Sequence, residues 1–292
     1  MPRLFSLNFQ IVPPEKAVVP VMDRSFLYGD SVYETVRSYR IPDVFLLDRH
    51  YKRLLRSAEA IAFRIPFSLE RLVTHLGECL KKAGNPESYI RIVVSRGTDF
   101  RFNLFPDPGI EPTTAILVDA VPKMPAEYYE KGAEVALVSV IRNHPRSVDP
   151  NIKTGNYMNN MLALIEAYRR NAVEAIMLNQ EGFVTEATTS NVFAVKDGKV
   201  LTPEVRSGLL EGVSRSLLVE IVQREKIPFA EKAISEAEFL SCDEIFLTGS
   251  IKELLPIARI NGRPVGNGGV GPMTKRMMQL WRAEVERINR GS

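Results

Sequence analysis

The chain has 292 residues, 45% of them hydrophobic and 25% charged, which is the balance of a globular protein long enough to bury a large core without disulfides or metals. Its 38 basic and 35 acidic residues leave a net charge of +3, so charge gives no case for nucleic acid or an anionic membrane as partner. Cys79 and Cys242 lie far apart and make neither a metal-ligand spacing nor a disulfide framework, which fits a reducing compartment. Residues 1–20 mix Asn8, Gln10, Glu15 and Lys16 with several prolines. They predict neither a signal peptide nor a membrane span, and the expectation is a cytoplasmic enzyme or binding protein.

In chain order, residues 31–39 and 89–95 are rich in β-branched and aromatic side chains and predict strands, with a third apolar run at 115–121. Between the first two, Tyr51, Leu54, Leu55, Ala58, Ile61 and Ala62 keep helical spacing behind a candidate cap at Asp48. Leu69, Leu72, Val73, Leu76 and Leu80 do the same behind Ser68, with Gly84 as the stop. Residues 123–132, beside Pro122 and Pro125, predict a connector. Beyond it come a strand at 135–141 and a helix marked by Met158, Met161, Leu162, Ile165 and Tyr168. Strands follow at 175–178, 183–185 and 191–195, and Asp197-Gly198 signals a tight hairpin into Val200. Val213, Leu217, Leu218, Ile221 and Val222 mark another helix, residues 244–248 another strand, and the tail from Pro272 a terminal helix. Helices mixed with hairpins predict an α+β fold rather than a doubly wound parallel sheet. The predicted division is a smaller N-terminal domain over 1–121, a linker over 122–133 and a larger C-terminal domain over 134–292.

Two signals are discounted. Gly266, Gly268 and Gly271 match the dinucleotide pattern G-x-G-x-x-G, but they follow a turn and a proline, and the chain ends before another βαβ unit could form. His50, His75 and His144 do not cluster with other ligands. No metal site is predicted, and His50 and His75 are expected to be solvated on their helices.

Chemistry concentrates between residues 151 and 250. Asn151-Ile152-Lys153-Thr154-Gly155-Asn156-Tyr157 precedes a helix, and Glu186 ends a strand before Ala187-Thr188-Thr189-Ser190-Asn191. Leu210-Glu211-Gly212-Val213-Ser214 opens a helix, and Thr248-Gly249-Ser250 ends a strand. Singly, these are ordinary. A lysine before a helix is usually a solvated charge. A glycine and a hydroxyl at a helix start make either a cap or an anion site.

Together with Asp23-Arg24, Tyr28-Gly29-Asp30-Ser31-Val32-Tyr33-Glu34, His50-Tyr51-Lys52-Arg53-Leu54, Tyr89-Ile90-Arg91 and Ser95-Arg96-Gly97-Thr98, the set resembles the class IV, or fold-type IV, pyridoxal-phosphate enzymes over nearly the whole chain. That family includes branched-chain aminotransferases, D-amino-acid aminotransferases and aminodeoxychorismate lyases. The resemblance implies a two-domain fold-type IV architecture, pyridoxal 5'-phosphate as cofactor, and ping-pong transfer of an amino group between a small-molecule donor and a 2-oxo acid. It also implies a homodimer whose active site lies between the domains and is completed by a partner loop.

Position by position, Lys153 matches the Schiff-base lysine, Tyr157 the tyrosine near the cofactor's phenolic oxygen, and Glu186 the carboxylate paired with the pyridine nitrogen. Leu210 matches the leucine on the ring. Gly212, Val213 and Ser214 match the phosphate-binding helix start, Gly249 and Ser250 a second phosphate loop, and Arg53 the phosphate-binding arginine. The chemistry agrees: the cofactor needs an amine that can also move a proton, and a dianion suits an arginine and a helix N-terminus.

The resemblance departs in two places. Ala187 and two threonines follow Glu186 where glycine is usual, and Ser214 stands where threonine is common.

For the substrate, Tyr33, Thr35 and Arg37 match the pocket strand. Arg96-Gly97-Thr98-Asp99-Phe100-Arg101-Phe102-Asn103-Leu104-Phe105-Pro106 resembles the D-amino-acid enzymes' loop, in which an arginine and a histidine trap the carboxylate. Arg101 matches that arginine, and Asn103 stands at the histidine. Tyr157-Met158-Asn159-Asn160 and Gly182-Phe183-Val184 resemble branched-chain enzymes instead. The implied donor is a D-amino acid or (R)-configured amine, with L-branched-chain amino acids as the close rival. An aminodeoxychorismate lyase and a non-catalytic pyridoxal-phosphate-binding protein are the remaining alternatives.

Overall fold

The computed structural model of the chain describes residues 3–101, 103–105 and 107–290, so Phe102 and Pro106 of the loop motif lie outside the described residues. The chain forms two compact units. One comprises Met1–Pro122 with Ile152–Tyr157 and Ile288–Ser292, the other Lys123–Asn151 with Met158–Arg287.

The first unit runs β1 (Leu4–Leu7), β2 (Gln10–Val12), α1 (Arg24–Tyr28), β3 (Ser31–Ser38), α2 (Leu47–Ala60), α3 (Leu69–Ala83), β4 (Ser88–Ser95) and β5 (Thr113–Ala120). Its strands form an antiparallel sheet in the order β2-β1-β5-β4-β3. Successive side chains on a strand point to opposite faces. Val32 and Val36 of β3, with Ile90 and Ile92 of β4, therefore pack against Leu54 and Ala58 of α2 and Leu72, Leu76 and Leu80 of α3. Helix α3 starts where Ser68 accepts from the Arg71 N–H and ends at Gly84, whose φ of 66° suits a residue without Cβ. Helix α2 differs from expectation: Leu46, at φ 52°, is its N-cap, and Asp48 lies inside the first turn, where it complements the helix dipole instead of capping. The expectation that His50 and His75 are solvated is also corrected, since both are buried. Each faces the layer between helix and sheet, where Ser6 Oγ lies 2.7 Å from His75 Nε2 and Glu34 takes His50.

The segment Ile152–Tyr157 lies along β3. Tyr33 N–H donates to the Lys153 carbonyl at 3.0 Å and Gly155 N–H to the Ser31 carbonyl at 2.8 Å. A Cβ on Gly155 would stand 2.2 Å from Ser31 Oγ, so a larger residue here would have to displace that hydroxyl.

The second unit begins with α4 (Ala126–Glu130), inside the stretch predicted as a connector, and β6 (Ala133–Leu137). It continues through α5 (Met158–Arg169), β7 (Ala175–Leu178), β8 (Val184–Ala187), β9 (Asn191–Lys196), β10 (Lys199–Pro203), α6 (Val213–Arg224), β11 (Phe229–Lys232), α7 (Glu236–Leu240), β12 (Glu244–Gly249), β13 (Glu253–Ile260), β14 (Arg263–Pro264) and α8 (Pro272–Arg290). The strand order is β11-β10-β9-β12-β13-β6-β7-β8, with β14 paired to β13. The sheet is mixed, parallel at β10–β11, β13–β6 and β6–β7 and antiparallel elsewhere. Asp197 and Gly198, both at positive φ, make the predicted hairpin between β9 and β10. The core gathers Ile176, Val184, Val192, Leu247, Leu255 and Phe239. The fold is thus α+β in two units, as the mixture of helices and hairpins predicted. Among the described residues no helix is long and apolar enough to cross a membrane, and no three His, Cys, Asp or Glu side chains are grouped to hold a metal ion.

Candidate active site

In the first unit, the main chain of Lys153 is pinned on both sides. Its N–H donates to Ser57 Oγ at 3.1 Å and its carbonyl accepts from Tyr33 N–H. Its Nζ lies 4.4 Å from the centroid of the Tyr33 ring, which also carries the Arg91 guanidinium at 4.2 Å and meets Tyr157 edge-on at 5.9 Å. Tyr33 is therefore the centre of a cation–π arrangement that orients the amine. Thr35 and Arg37 share its face of β3 by strand alternation. Arg37 is engaged by the Glu87 carboxylate and stacks on Tyr39 at 4.5 Å.

Arg53 lies on α2 with its Nε and Nη2 turned to Glu34 Oε1 and Oε2 at 2.8 and 2.7 Å, and His50 Nδ1 lies 2.7 Å from Glu34 Oε2. Glu34 alternates with Tyr33, so this buried cluster occupies the helix-covered face of β3 and Tyr33 the other. Burial alone would raise the Glu34 carboxyl, but the Arg53 guanidinium and then His50 bring it down to about 2. Burial holds the His50 imidazole below its ordinary value despite Glu34. Both groups bind fewer protons folded than unfolded at acidic pH, so stability falls as pH drops. The His50 contribution is lost below its ordinary value of 6.5. That of Glu34, about 3 kcal/mol, is lost between its ordinary 4.5 and about 2. Thermal midpoints measured from pH 7 to pH 3 are expected to fall steadily in the wild type and less steeply in Glu34→Gln. Parallel profiles would mean that other groups carry the acid sensitivity.

The loop of Arg101 is satisfied locally. Arg101 Nε donates to Asp99 Oδ1 at 3.0 Å and its Nη2 reaches Asp107 Oδ2 at 2.7 Å, while the side chain stays 61% exposed. Asn103 Oδ1 accepts from Phe105 N–H at 3.1 Å. Arg24 holds the loop, donating to the carbonyls of Asn103 and Leu104 at 2.9 Å each and to Asp30 at 2.8 Å, where Arg96 also pairs.

In the second unit, Glu186 lies on β8 one residue before its end, buried and faced by three N–H donors. Arg142 Nε reaches Oε1 at 2.9 Å, and Asn191 Nδ2 and Leu210 N–H reach Oε2 at 3.3 and 3.1 Å. Such a carboxylate can accept but not donate. Asn191 also donates to the Leu210 carbonyl, tying β9 to the segment before α6. Arg142 escaped the sequence reading because it stands alone after a strand. Its Nη1 donates to Asn159 and Asn160, and those two asparagines were the available signal.

Helix α6 starts at Val213 with Gly212 as N-cap and no side-chain cap, so its first N–H groups lack intrahelical acceptors. A Cβ on Gly212 would fall 2.0 Å from Asn191 Oδ1. Ser214 lies in this first turn, and Gly249 closes β12, where Thr248 is in register with Asn191, with Ser250 next in the turn. Two buried hydroxyls here, Ser190 Oγ and Thr248 Oγ1, have no hydrogen-bond partner. A buried acceptor-only carboxylate, an uncapped helix start behind a glycine and orphaned hydroxyls fit a ligand with a ring N–H donor and a dianionic phosphate.

The family model for class IV amino-transferases matches residues 31–260. The chain belongs to the class IV amino-transferases. It is therefore a pyridoxal-phosphate-dependent aminotransferase of fold type IV. This aminotransferase is 34% identical over 280 residues to a putative branched-chain-amino-acid aminotransferase of Methanocaldococcus jannaschii, covering 94% of both chains. It is 31% identical over 286 residues to a D-alanine aminotransferase of Staphylococcus aureus, covering 98% of this chain and 99% of the other. Its fold matches the branched-chain amino acid aminotransferase of Thermobaculum terrenum, solved in its pyridoxal-phosphate form, at a TM-score of 0.85 and 27% identity, over 97% of this chain and 93% of that one.

Proposed function

We propose that this aminotransferase moves an amino group from an apolar donor, a D-amino acid or (R)-configured amine, to a 2-oxo acid, with Lys153 as the amine that carries the cofactor. The observation that carries this reading is the Lys153 Nζ held over the ring of Tyr33, the residue of the strand matched to the substrate pocket. When bound, pyridoxal phosphate supplies a carbonyl for the amine and a ring that draws electrons from the adjacent carbon. Lys153, pinned at both main-chain groups, moves the proton at that carbon. Glu186 keeps a proton on the ring nitrogen, and Leu210 packs on the ring. The first-turn N–H groups at Val213 and Ser214, with the Gly249–Ser250 loop and Arg53, hold the phosphate, and Tyr157 takes the phenolic oxygen. Tyr33, Thr35 and Arg37 line the donor's side chain.

Arg101 and Asn103 are the groups proposed for the carboxylate. Losing a charged hydrogen bond costs about 1.5–3 kcal/mol, roughly a tenfold to hundredfold loss of affinity. Arg101→Ala is expected to raise KM for the 2-oxo acid and the amino acid by this factor and to leave (R)-1-phenylethylamine, which has no carboxylate, far less affected. A specific observation favours the second reading, L-branched-chain donors: the Arg101 guanidinium is already paired with Asp99 and Asp107, and the relatives include a putative branched-chain enzyme. Adding L-leucine, D-alanine and (R)-1-phenylethylamine separately to the holoenzyme and following the cofactor absorbance decides between them. Strong preference for L-leucine with a silent Arg101→Ala overturns the first reading and leaves the second. Supplying a 2-oxo acid acceptor in the same assay separates amino transfer from the lyase alternative.

A homodimer fits the face of α5, where Met158, Met161, Leu162, Ile165 and Tyr168 recur at helical spacing and are all exposed. A cytoplasmic location fits the two buried free thiols, Cys79 and Cys242.

A further inference from the structure

Just before β7, Glu174 is a carboxylate only 1% exposed that does not belong to the site above. Five donors converge on it: the N–H groups of Ala175 and Thr188 at 3.1 and 3.2 Å, the Thr188 hydroxyl, the Thr189 hydroxyl at 2.6 Å and Lys252 Nζ at 2.5 Å. Lys252 Nζ also donates to Thr189 Oγ1 at 2.8 Å, closing a ring of three side chains. Burial alone would raise the Glu174 carboxyl, but the Lys252 ammonium and the threonine hydroxyls hold it below the usual carboxylate range.

Three segments distant in sequence meet at this one group. The first leads into β7. The second is the turn between β8, which carries Glu186, and β9, which opens with Asn191, itself bonded to Glu186. The third is the turn between β12 and β13, which carries Ser250 and Lys252. The two threonines that follow Ala187 thus have a use: their hydroxyls are spent on Glu174.

We propose that Glu174 and Lys252 are positioning residues of the cofactor site, whose ion pair fixes the turn after Glu186 and the turn after Ser250 in the single arrangement that serves one ligand. The inference rests on the placement of the cofactor against Glu186 and Ser250. With its carboxylate buried and its ammonium 19% exposed, such an ion pair gains little net stability over a neutral pair of similar volume, because desolvation offsets the attraction. What it adds is direction. A carboxylate offering two oxygens to donors on both turns constrains both at once, and a neutral pair does so far less.

The test compares wild-type holoenzyme with Glu174→Gln/Lys252→Met, which removes both charges and so leaves none buried alone, and with the milder Thr189→Val. Three quantities are read: the rate of pyridoxal phosphate release, the phosphorus NMR shift of the bound cofactor, and the thermal midpoint of the cofactor-free protein. The double variant is expected to release the cofactor at least about tenfold faster, the loss of one charged hydrogen bond, with a displaced phosphorus resonance and a midpoint within a few degrees of wild type. Thr189→Val is expected to move release and resonance in the same direction by less. Unchanged release, or release that quickens only in proportion to a loss of fold stability across both variants, overturns the proposal. Glu186→Gln and Ser250→Ala go through the same assay. If those two leave release and resonance untouched, the cofactor placement fails and this inference with it. If they alter both while the Glu174 and Lys252 variants do not, this inference alone fails.

Discussion

Lys153→Ala is expected to abolish turnover while leaving the fold intact. Proton transfer by a positioned side chain contributes about 10²–10⁴-fold, and removal of the amine also removes the covalent attachment of the cofactor, so the loss should reach at least the upper end of that range. Nothing in the fold opposes the replacement, because the segment is held by its main chain, through Ser57 Oγ and the Tyr33 N–H. Borohydride reduction of the holoenzyme followed by peptide mapping is expected to place the cofactor on Lys153. Other lysines in the same half of the sequence are committed elsewhere, Lys196 to the Ser241 carbonyl and Lys252 to Glu174. A label on either of them, or on Lys199, would refute the assignment.

Glu186→Gln is the second large effect. Its oxygens face Arg142 Nε, Asn191 Nδ2 and Leu210 N–H. An amide must turn its NH2 either toward one of these donors, where a donor meets a donor, or toward the ring nitrogen, which can accept from it only after giving up its proton. The variant is expected still to attach the cofactor but to lose the proton held on the ring nitrogen. A preorganised charge of this kind is worth about 10²–10³-fold in kcat. Single-turnover rates with a donor deuterated at Cα measure the step directly. Wild-type rates, with the normal isotope effect, would show that the carboxylate acts elsewhere.

What the sequence made legible was what local chemistry encodes. Ser68 and Gly84 bracket α3 because each meets its backbone requirement on its own, and Asp197-Gly198 needs only its two positive φ values to turn β9 into β10. Strand β13 was missed, since Pro256 ordinarily argues against a central strand, yet it stands opposite Phe246 with β12 on one side and β6 on the other. The burial of His50 was missed for a different reason. Its partner Glu34 sits on a strand, and the contact between them arises only when α2 packs on β3. Arg142 and Glu174 share that fate, since their partners come from Glu186, from Thr188 and Thr189, and from Lys252, brought together by strand order rather than by spacing. The motif residues at Lys153, Glu186 and Gly212 stood out through resemblance, while the groups that hold them had no local signature.

The strip 152–157 has a consequence for how the protein can be divided. A polypeptide ending at residue 122 would contain every strand of the first sheet. It would nevertheless lack the acceptor of the Tyr33 N–H, the donor to the Ser31 carbonyl and the Lys153 N–H bound to Ser57. Backbone groups stripped of partners are costly wherever water cannot replace them. The first unit is therefore not a module that recombination could lift out at its apparent boundary. Any division of the chain has to keep residues 152–157 with β3 and Ser57, although the strip stands in sequence between two stretches of the second unit.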